Sequence, residues 1–279
     1  MKISVAKDAG YCFGVRDAVN LAYETADEHG EVYMLGHIVH NEHVVRDLGQ
    51  AGTRIVENLS EIPNDKPVLF RAHGTETEVW KEAEKKNLNI VDDTCPLEKE
   101  IHDEVKKFAQ EGRPIIIIGD HGHDEVVGIA SQVENPTVVA NAEEAEKLRK
   151  MKRAGVVSQS TQSIENVQAI INVLMTKVFD LRFVNTICFP TKRNQEQIKE
   201  LARECDVMII IGSFTSANSK RLALLSSQIN PATHQVKSAI ELDEAWFRDA
   251  AHVGISAGAS TPDYLIEEVK GRIEQLVTE

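Results

Sequence analysis

The stretch that decides the fold is PIIIIGDHGHDEV, residues 114–126. Four successive isoleucines end at Gly119, and polar residues that include His123 and Glu125 follow. A short continuous apolar run between a proline and a glycine is typical of a strand buried on both faces, as in a parallel sheet. Ligands of such sheets bind beyond the carboxyl ends of the strands, so these polar residues occupy a candidate functional position.

The same pattern occurs three times along the chain, which indicates an internal repeat. Two further apolar strands end in glycine, VYMLG at 32–36 and VMIIIG at 207–212. Each of the three glycines stands 24 residues after a cysteine, the three cysteines being Cys12, Cys95 and Cys188. Four positions after the glycines stand His40, His123 and Ser216. Six positions after them stand Glu42, Glu125 and Asn218.

Each repeat also carries a second apolar strand that runs into small or polar residues. These strands are VLFRAHG at 68–74, GVVSQST at 155–161 and VGISAGAS at 253–260. Helical periodicity follows each cysteine, at roughly 14–28, 97–111 and 192–204, and we expect the charged residues of these helices on the solvent side. Strands that alternate with helices predict an α/β protein with mostly parallel sheets.

We therefore predict three similar α/β subdomains arranged pseudo-threefold around a common axis. The predicted boundaries are 1–94, which includes an N-terminal strand, then 95–187, then 188–279 with a C-terminal helix at about 262–278. This arrangement would bring the three cysteines and the three sets of polar loops to one centre.

Composition excludes several other classes of protein. The 279 residues are 42% hydrophobic and 27% charged, as in ordinary globular proteins, so a disordered chain is excluded. The net charge of −13 argues against a nucleic-acid or anionic-membrane partner, which would require basic residues. No apolar run approaches the ~20 residues of a membrane span. The first residues resemble a strand rather than a signal segment, so we expect a cytoplasmic protein.

Three distant cysteines on a common axis indicate a metal centre. Their thiolates could hold a zinc ion with a fourth ligand, or an iron–sulfur cluster with one incompletely ligated iron. No Cys-x-x-Cys pair of the kind common in structural zinc sites is present. The alternative is that the three cysteines are small buried hydrophobic residues. Cys205 lies outside the repeat, and we interpret it as a packing residue.

The surrounding loops offer neutral or positive donors for an anion. The candidates are His40, His73, His123, Ser216, Asn218 and Ser260. We expect them at or near helix N-termini, where free N–H groups favour a compact charged group such as a diphosphate. Structural roles are expected for the other histidines singled out, which are His37, His43, His102, His121 and His252. Glu125 or Glu42 could supply a proton if its site is dry, and the sequence does not distinguish the two.

Several motifs together resemble the IspH/LytB family, the 4-hydroxy-3-methylbut-2-enyl diphosphate reductases. They are GYCFGV at 10–15, VHN at 39–41, AHG at 72–74, DDTCP at 92–96, GHDEV at 122–126, SQST at 158–161, TIC at 186–188, SANS at 216–219 and SAGASTP at 256–262. The resemblance covers the whole chain in order. It implies three α/β subdomains around a central 4Fe–4S cluster, with Cys12, Cys95 and Cys188 as ligands and one iron left open.

The resemblance also implies the roles of the polar residues. The family's substrate-binding positions fall on His40, His73, His123, Thr191, Ser216, Asn218 and Ser260. Its proton-delivering glutamate matches Glu125, and Ser160 stands at the threonine that orders the hydroxyl network. The implied reaction is a reductive dehydroxylation that yields isopentenyl or dimethylallyl diphosphate, with ferredoxin or flavodoxin as the electron donor.

The chain departs from the family's pattern at a few positions. Ala217 replaces a second serine, Asn194 takes an arginine position, and Ser160 lacks the methyl group of threonine. None of these changes affects a predicted cluster ligand. Two other classes remain open, an iron–sulfur sensor without turnover and a hydrolase with a cysteine nucleophile. The complete polar set with Glu125 favours the reductase over the sensor, and the hydrolase would need a His and an Asn or Asp beside one cysteine.

Overall fold

The structure, a computed structural model, describes residues 1–278, with side chains through residue 276. Over this range the strands are β1 (Lys2–Val5), β2 (Val32–Leu35), β3 (Thr53–Val56), β4 (Pro67–Phe70), β5 (Asn89–Asp92), β6 (Ile115–Ile118), β7 (Thr137–Val139), β8 (Met151–Ser158), β9 (Val178–Phe183), β10 (Val207–Ile211), β11 (Thr233–Val236) and β12 (His252–Ala257). The helices are α1 (Phe13–His29), α2 (Glu42–Gln50), α3 (Thr77–Lys85), α4 (Pro96–Gln110), α5 (Asp124–Ala130), α6 (Ala142–Lys147), α7 (Ile164–Lys177), α8 (Phe189–Glu204), α9 (Ala217–Ser227) and α10 (Asp263–Thr278).

The strands form three four-stranded sheets in which every neighbouring pair is parallel. Sheet A has the order β1-β12-β10-β11, sheet B the order β3-β2-β4-β5, and sheet C the order β7-β6-β8-β9. The predicted α/β class with three parallel-sheet subdomains is confirmed. Their arrangement around a common axis stays a prediction.

Strand β1 joins a sheet whose other strands lie at the far end of the sequence. It pairs with β12, with Lys2 opposite His252 and Val5 opposite Ile255. With β1 counted as its fourth strand, sheet A repeats the topology of sheets B and C, which end in β5 and β9. A cysteine follows this fourth strand in every sheet, Cys12 after β1, Cys95 after β5 and Cys188 after β9. The equal offset of 24 residues from each cysteine to the glycine that follows the next strand therefore reflects a repeated strand position.

The isoleucine run of β6 shows why these strands form a buried parallel sheet. All four of its residues are at most 3% exposed. Because side chains alternate across a strand, Ile116 and Ile118 pack with Ile170 and Leu174 of α7 on one face. Ile115 and Ile117 pack with residues of α4 on the other face. Helices thus cover both faces, which requires the continuous apolar sequence.

The chain divides into two compact units. Unit 1 comprises Met1–Arg16, Val39–Arg46 and Phe189–Glu279 and holds sheet A. Unit 2 comprises Asp17–Ile38 and Asp47–Cys188 and holds sheets B and C. The subdomain boundaries 1–94, 95–187 and 188–279 stay a prediction. Among the described residues, the structure contains no helix with the length and apolar character that a bilayer crossing requires.

The packing of α4 on β8 gives a test of the fold. A Cβ added at Gly155 would lie 2.4 Å from the ring of Phe108, which is 5% exposed. We expect Gly155→Ala to lower the free energy of unfolding by about 1–3 kcal/mol, because a packed core resists overfilling. Gly271 in α10 is the matched control, since no described atom lies within 4 Å of its added Cβ. Gly271→Ala should raise stability by about 0.5–1 kcal/mol. Urea unfolding measures both, and an unchanged Gly155→Ala protein would contradict the packing.

Candidate active site

Glu125 is the most deeply buried carboxyl group among the predicted site residues. It lies in the first turn of α5, beyond the carboxyl end of β6, and is 1% exposed. Its Oε1 accepts a hydrogen bond from the backbone N–H of Ser160, which follows β8. The backbone N–H of Cys188 donates in turn to the Ser160 carbonyl, over 3.0 Å. One edge of sheet C therefore brings together three predicted site residues.

The surroundings of Glu125 favour its protonated form. Burial raises the pKa of the Glu125 carboxyl well above its ordinary value, and the nearby carboxyl of Glu98 raises this pKa further. The N–H of Ser160 acts in the opposite direction, because it stabilises the carboxylate. The effect of burial is the larger, so the surroundings of Glu125 favour the protonated carboxyl and make it a candidate proton donor.

Glu98 of α4 is a site residue that the sequence did not reveal. We expected the charged residues of this helix on the solvent side, and for Glu98 this is wrong, because it is only 3% exposed. One signal in the sequence could have indicated its burial. Glu98 lies on the same stripe of the helix as the apolar residues Ile101, Val105 and Phe108. Burial raises the pKa of the Glu98 carboxyl, and Glu98 Oε1 lies 3.2 Å from Nε2 of His102.

His102 is buried, and its expected structural role stays a prediction. Burial, with a smaller effect of Lys106, lowers the pKa of His102 to about 4, so its imidazole is neutral at pH 7. Two more of the histidines assigned structural roles have protein partners. His252 lies 2.8 Å from Ser4 Oγ, and His121 lies 2.8 Å from Glu144 Oε2.

His123 and His73 lie close together in unit 2. His123 is the N-cap of α5, and its Nδ1 accepts the backbone N–H of Glu125 over 3.2 Å. Because Nδ1 accepts, the proton of the neutral ring belongs on Nε2, which is then a donor for an anion. The ring centroids of His73 and His123 are 6.0 Å apart, with the planes at 85°. Two partly exposed imidazoles at this spacing can contact one polyanionic group.

Cys95 is tied to the loop that carries His73. It occupies the N-cap position of α4, and Pro96 begins that helix. The backbone N–H of Cys95 donates to the carbonyl of Ala72, over 3.1 Å. The thiol of Cys95 and the imidazole of His73 are therefore attached to directly bonded backbone segments at the carboxyl edge of sheet B.

Unit 1 carries the remaining predicted residues around the carboxyl edge of sheet A. Ser216 is the N-cap of α9, and its Oγ accepts the N–H of Ser219 over 3.3 Å. Ser260 Oγ donates to the carbonyl of His40 over 3.2 Å. The N–H of Cys12 donates to the carbonyl of Ala259 over 3.3 Å. These bonds fix the loops, and they place Cys12 beside the segment that carries Ser260.

Unit 1 contains a pocket of about 610 Å³ that three of the predicted residues line. Cys12, Thr191 and Asn218 all line it. The Nδ2 of Asn218 is buried and has no hydrogen-bond partner within residues 1–276. A buried donor without a partner costs free energy, so this amide suits a bound polar group. Asn194 lines the same pocket.

The structure explains one departure from the family pattern. Asn194 is 3% exposed, and its Nδ2 donates to the carbonyl of Ala257 over 3.1 Å. Its Oδ1 accepts from Ser256 Oγ over 3.3 Å. Asn194 therefore fixes the end of β12, ahead of the loop that carries Ser260. Ala217, another of the departures, is the buried first residue of α9.

The structure also distinguishes the two glutamates of the repeat. Glu42 begins α2, is exposed, and accepts a hydrogen bond from Ser213 Oγ over 2.9 Å. Glu125 occupies the same repeat position but is buried. Of these two, Glu125 alone is in the dry environment that a proton donor near pH 7 requires.

The cysteines divide into two kinds by burial. The side chains of Cys12, Cys95 and Cys188 are partly exposed. Cys205 packs in the core with Ile198 and Met208, and burial raises its pKa to about 11, so the predicted packing role is confirmed. Within residues 1–276, no three His, Cys, Asp or Glu side chains are grouped as metal ligands. Partly exposed thiols are the kind of ligand that an iron–sulfur cluster requires, whereas the buried Cys205 stays protonated and does not suit this role.

Known proteins resemble this chain over its full length. A curated relative from Geobacter sulfurreducens, named 4-hydroxy-3-methylbut-2-enyl diphosphate reductase, is 42% identical over 276 residues, which are 99% of this chain and 98% of the relative. A reductase of the same name from Trichlorobacter lovleyi is 39% identical over 277 residues, with 99% of each chain covered.

Solved structures agree with these sequence relatives. A structure described as this reductase, the terminal enzyme of the non-mevalonate pathway, is 39% identical, with a TM-score of 0.73 and coverage of 99% of this chain and 100% of the other. An E-1-hydroxy-2-methyl-but-2-enyl-4-diphosphate reductase from Plasmodium falciparum is 27% identical, with a TM-score of 0.92 and coverage of 98% and 87%. The family model described as LytB protein matches residues 3–274. The chain therefore belongs to the LytB protein family.

Proposed function

We propose that this protein reduces 4-hydroxy-3-methylbut-2-enyl diphosphate to isopentenyl and dimethylallyl diphosphate. The reaction consumes two electrons and two protons, breaks the bond between C4 and the hydroxyl oxygen, and releases that oxygen as water. The relatives of 39% and 42% identity bear the name of this reductase, and they align with almost the whole chain.

The observation that carries the proposal is the repeated position of the cysteines. In each of the three sheets, the fourth strand leads to a partly exposed cysteine. If the three cysteines served only to pack hydrophobic cores, nothing would require them to follow the same strand in every sheet. We infer that Cys12, Cys95 and Cys188 hold a 4Fe–4S cluster with one iron free of protein ligands. When bound, such a cluster would supply the electrons one at a time and a Lewis-acidic iron.

The polar side chains would bind the diphosphate. His73 and His123 present two imidazoles 6.0 Å apart, and the ring of His123 offers its Nε2–H. Asn218 offers a buried amide donor that has no partner among the described residues. We assign the same role to His40, Thr191, Ser216 and Ser260. Neutral donors at helix N-termini bind a diphosphate without a phosphate-loop motif.

Glu125 would deliver a proton to the leaving hydroxyl group. Its Oε1 accepts the N–H of Ser160, and its carboxyl group is also hydrogen-bonded to the carboxyl of Glu98. Burial keeps this proton in place until the substrate arrives, because the carboxylate is poorly stabilised in a dry site. The side chain of Ser160 is also hydrogen-bonded to this carboxyl and would order the substrate hydroxyl. The proposal includes a ferredoxin or flavodoxin as the electron donor and the cytoplasm as the location.

Turnover under anaerobic conditions tests the function. The protein would be purified without oxygen, reconstituted with iron and sulfide, and given the substrate with reduced methyl viologen. We expect both isopentenyl and dimethylallyl diphosphate, and their formation would show that Ala217 and Asn194 are tolerated. Protein that carries a full cluster yet forms neither product would contradict the proposal and favour a sensor.

A further inference from the structure

Arg71 connects the two loops that carry His73 and His123. Its side chain is only 13% exposed and stands directly after β4. Its Nη1 lies 3.0 Å from Oδ1 of Asp124, the residue after His123. Its Nη2 donates to Glu76 Oε2 over 3.2 Å. One guanidinium group therefore spans the loop before α3 and the start of α5.

The position of this guanidinium group is tightly confined. A Cβ added at Gly36 would approach Nη1 to 3.2 Å, and the φ of Gly36 is +70°, a conformation that favours glycine. Charge-assisted bonds of a planar, buried Arg have fixed directions. Arg71 thus sets the distance between its own loop and Asp124 more firmly than a flexible cation could.

The ion pair also neutralises a carboxylate close to the proposed anion site. Asp124 stands between His123 and Glu125 in the sequence and is partly exposed. Without Arg71, the guanidinium would no longer offset the negative charge of Asp124 beside the donors that the diphosphate requires, and like charges repel. Loss of Arg71 would therefore weaken diphosphate binding by geometry and by charge together.

We propose that Arg71 is a positioning residue that holds His73 and His123 at the spacing required for the diphosphate group. It acts through the two loops and does not itself contact the substrate. This inference rests on the proposed function, because it concerns the same anion site. The family resemblance assigned no role to Arg71 or to Asp124.

Binding of inorganic diphosphate to the cluster-loaded protein tests the proposal without turnover. For Arg71→Met we expect the Kd of diphosphate and the KM of the substrate to rise at least ~10-fold, equivalent to about 1.4 kcal/mol, with kcat within about threefold of the parent. Arg71→Lys keeps the charge but not the planar fork, so it should rescue part of the affinity. If Arg71→Met fails to fold, Asp124→Asn serves instead, because it breaks the same ion pair but also removes the negative charge. A rise in its Kd would then report the lost geometry alone, and an unchanged or lower Kd would overturn the positioning role.

Arg113 provides a matched control in the same unit. Its side chain is 4% exposed and likewise bridges two carboxylates, Glu111 and Asp180, each over 2.8 Å. Arg113→Met should lower thermal stability as much as Arg71→Met but leave the Kd and KM unchanged. Equal shifts of the Kd in both variants, or none in Arg71→Met, would overturn the proposal. A parent protein that neither binds diphosphate nor turns over would instead refute the proposed function.

Discussion

Replacing Cys12, Cys95 or Cys188 with serine is expected to remove most of the bound iron from the anaerobically reconstituted protein. Turnover should fall by ~10³-fold or more in each variant, because no side chain can replace the electron chemistry of a cluster. Serine keeps the size of the residue but is a much poorer ligand for iron than a thiolate. Iron and sulfide content, the visible absorbance of the cluster and product formation measure the effect.

Cys205→Ser is the matched control for these variants. Cys205 is buried in the core of unit 1 and lies outside the repeat, so its replacement should leave iron content unchanged. Some loss of stability is expected, since a hydroxyl group is then buried among apolar side chains. Equal iron content in all four variants would refute the assignment of the ligands. Circular dichroism would show whether each variant is folded.

Glu125→Gln is expected to retain the cluster and to lose turnover by ~10²-fold or more, the usual contribution of a general acid. The glutamine side chain has nearly the same shape, and its carbonyl oxygen can still accept the N–H of Ser160. What it lacks is the proton that burial holds on the carboxyl group of Glu125. The absorbance of the cluster and the rate with reduced methyl viologen separate the two effects.

Glu42→Gln controls for the loss of a carboxylate at the equivalent repeat position. Glu42 is exposed, so its replacement should change the rate by no more than about twofold, in keeping with the small effects of surface changes. Near-normal turnover of Glu125→Gln would remove Glu125 from the mechanism. A large loss in Glu42→Gln alone would transfer the role to that residue.

The features that the sequence predicted well are local or repeated. The isoleucines of β6 predict a doubly covered strand because hydrophobic burial follows the local pattern of side chains. The 24-residue offset between cysteine and glycine predicts three equivalent subdomains because each sheet is built from the same succession of strands. Such patterns survive large changes in the intervening residues.

The features that the sequence did not predict depend on contacts between distant segments. Glu98 resembles any other charge on an amphipathic helix, and only packing shows that it is buried near Glu125. The ion pair of Arg71 with Asp124 joins residues that no periodicity relates. Glu42 and Glu125 are equivalent by position, and their different burial arises from what packs around each. Tertiary contacts, rather than local sequence, therefore decide which of these side chains are buried and which remain exposed to solvent.

The pairing of β1 with β12 has a consequence for the order in which the protein matures. Ser4 Oγ lies 2.8 Å from Nε2 of His252, a residue 248 positions further along the chain. The ribosome makes β1 before the other described strands, but β1 stays without its neighbour until β12 has been translated. Contacts of such long range form slowly, because the entropy of closing the loop must be overcome first.

Cys12 depends on the same late segment, since its N–H donates to the carbonyl of Ala259. Its thiol therefore reaches its final place only after translation has passed that residue. We therefore expect the proposed cluster to be inserted only after β12 and Ala259 have been made. A nascent chain stalled before β12 would leave sheet A incomplete and Cys12 without this backbone bond.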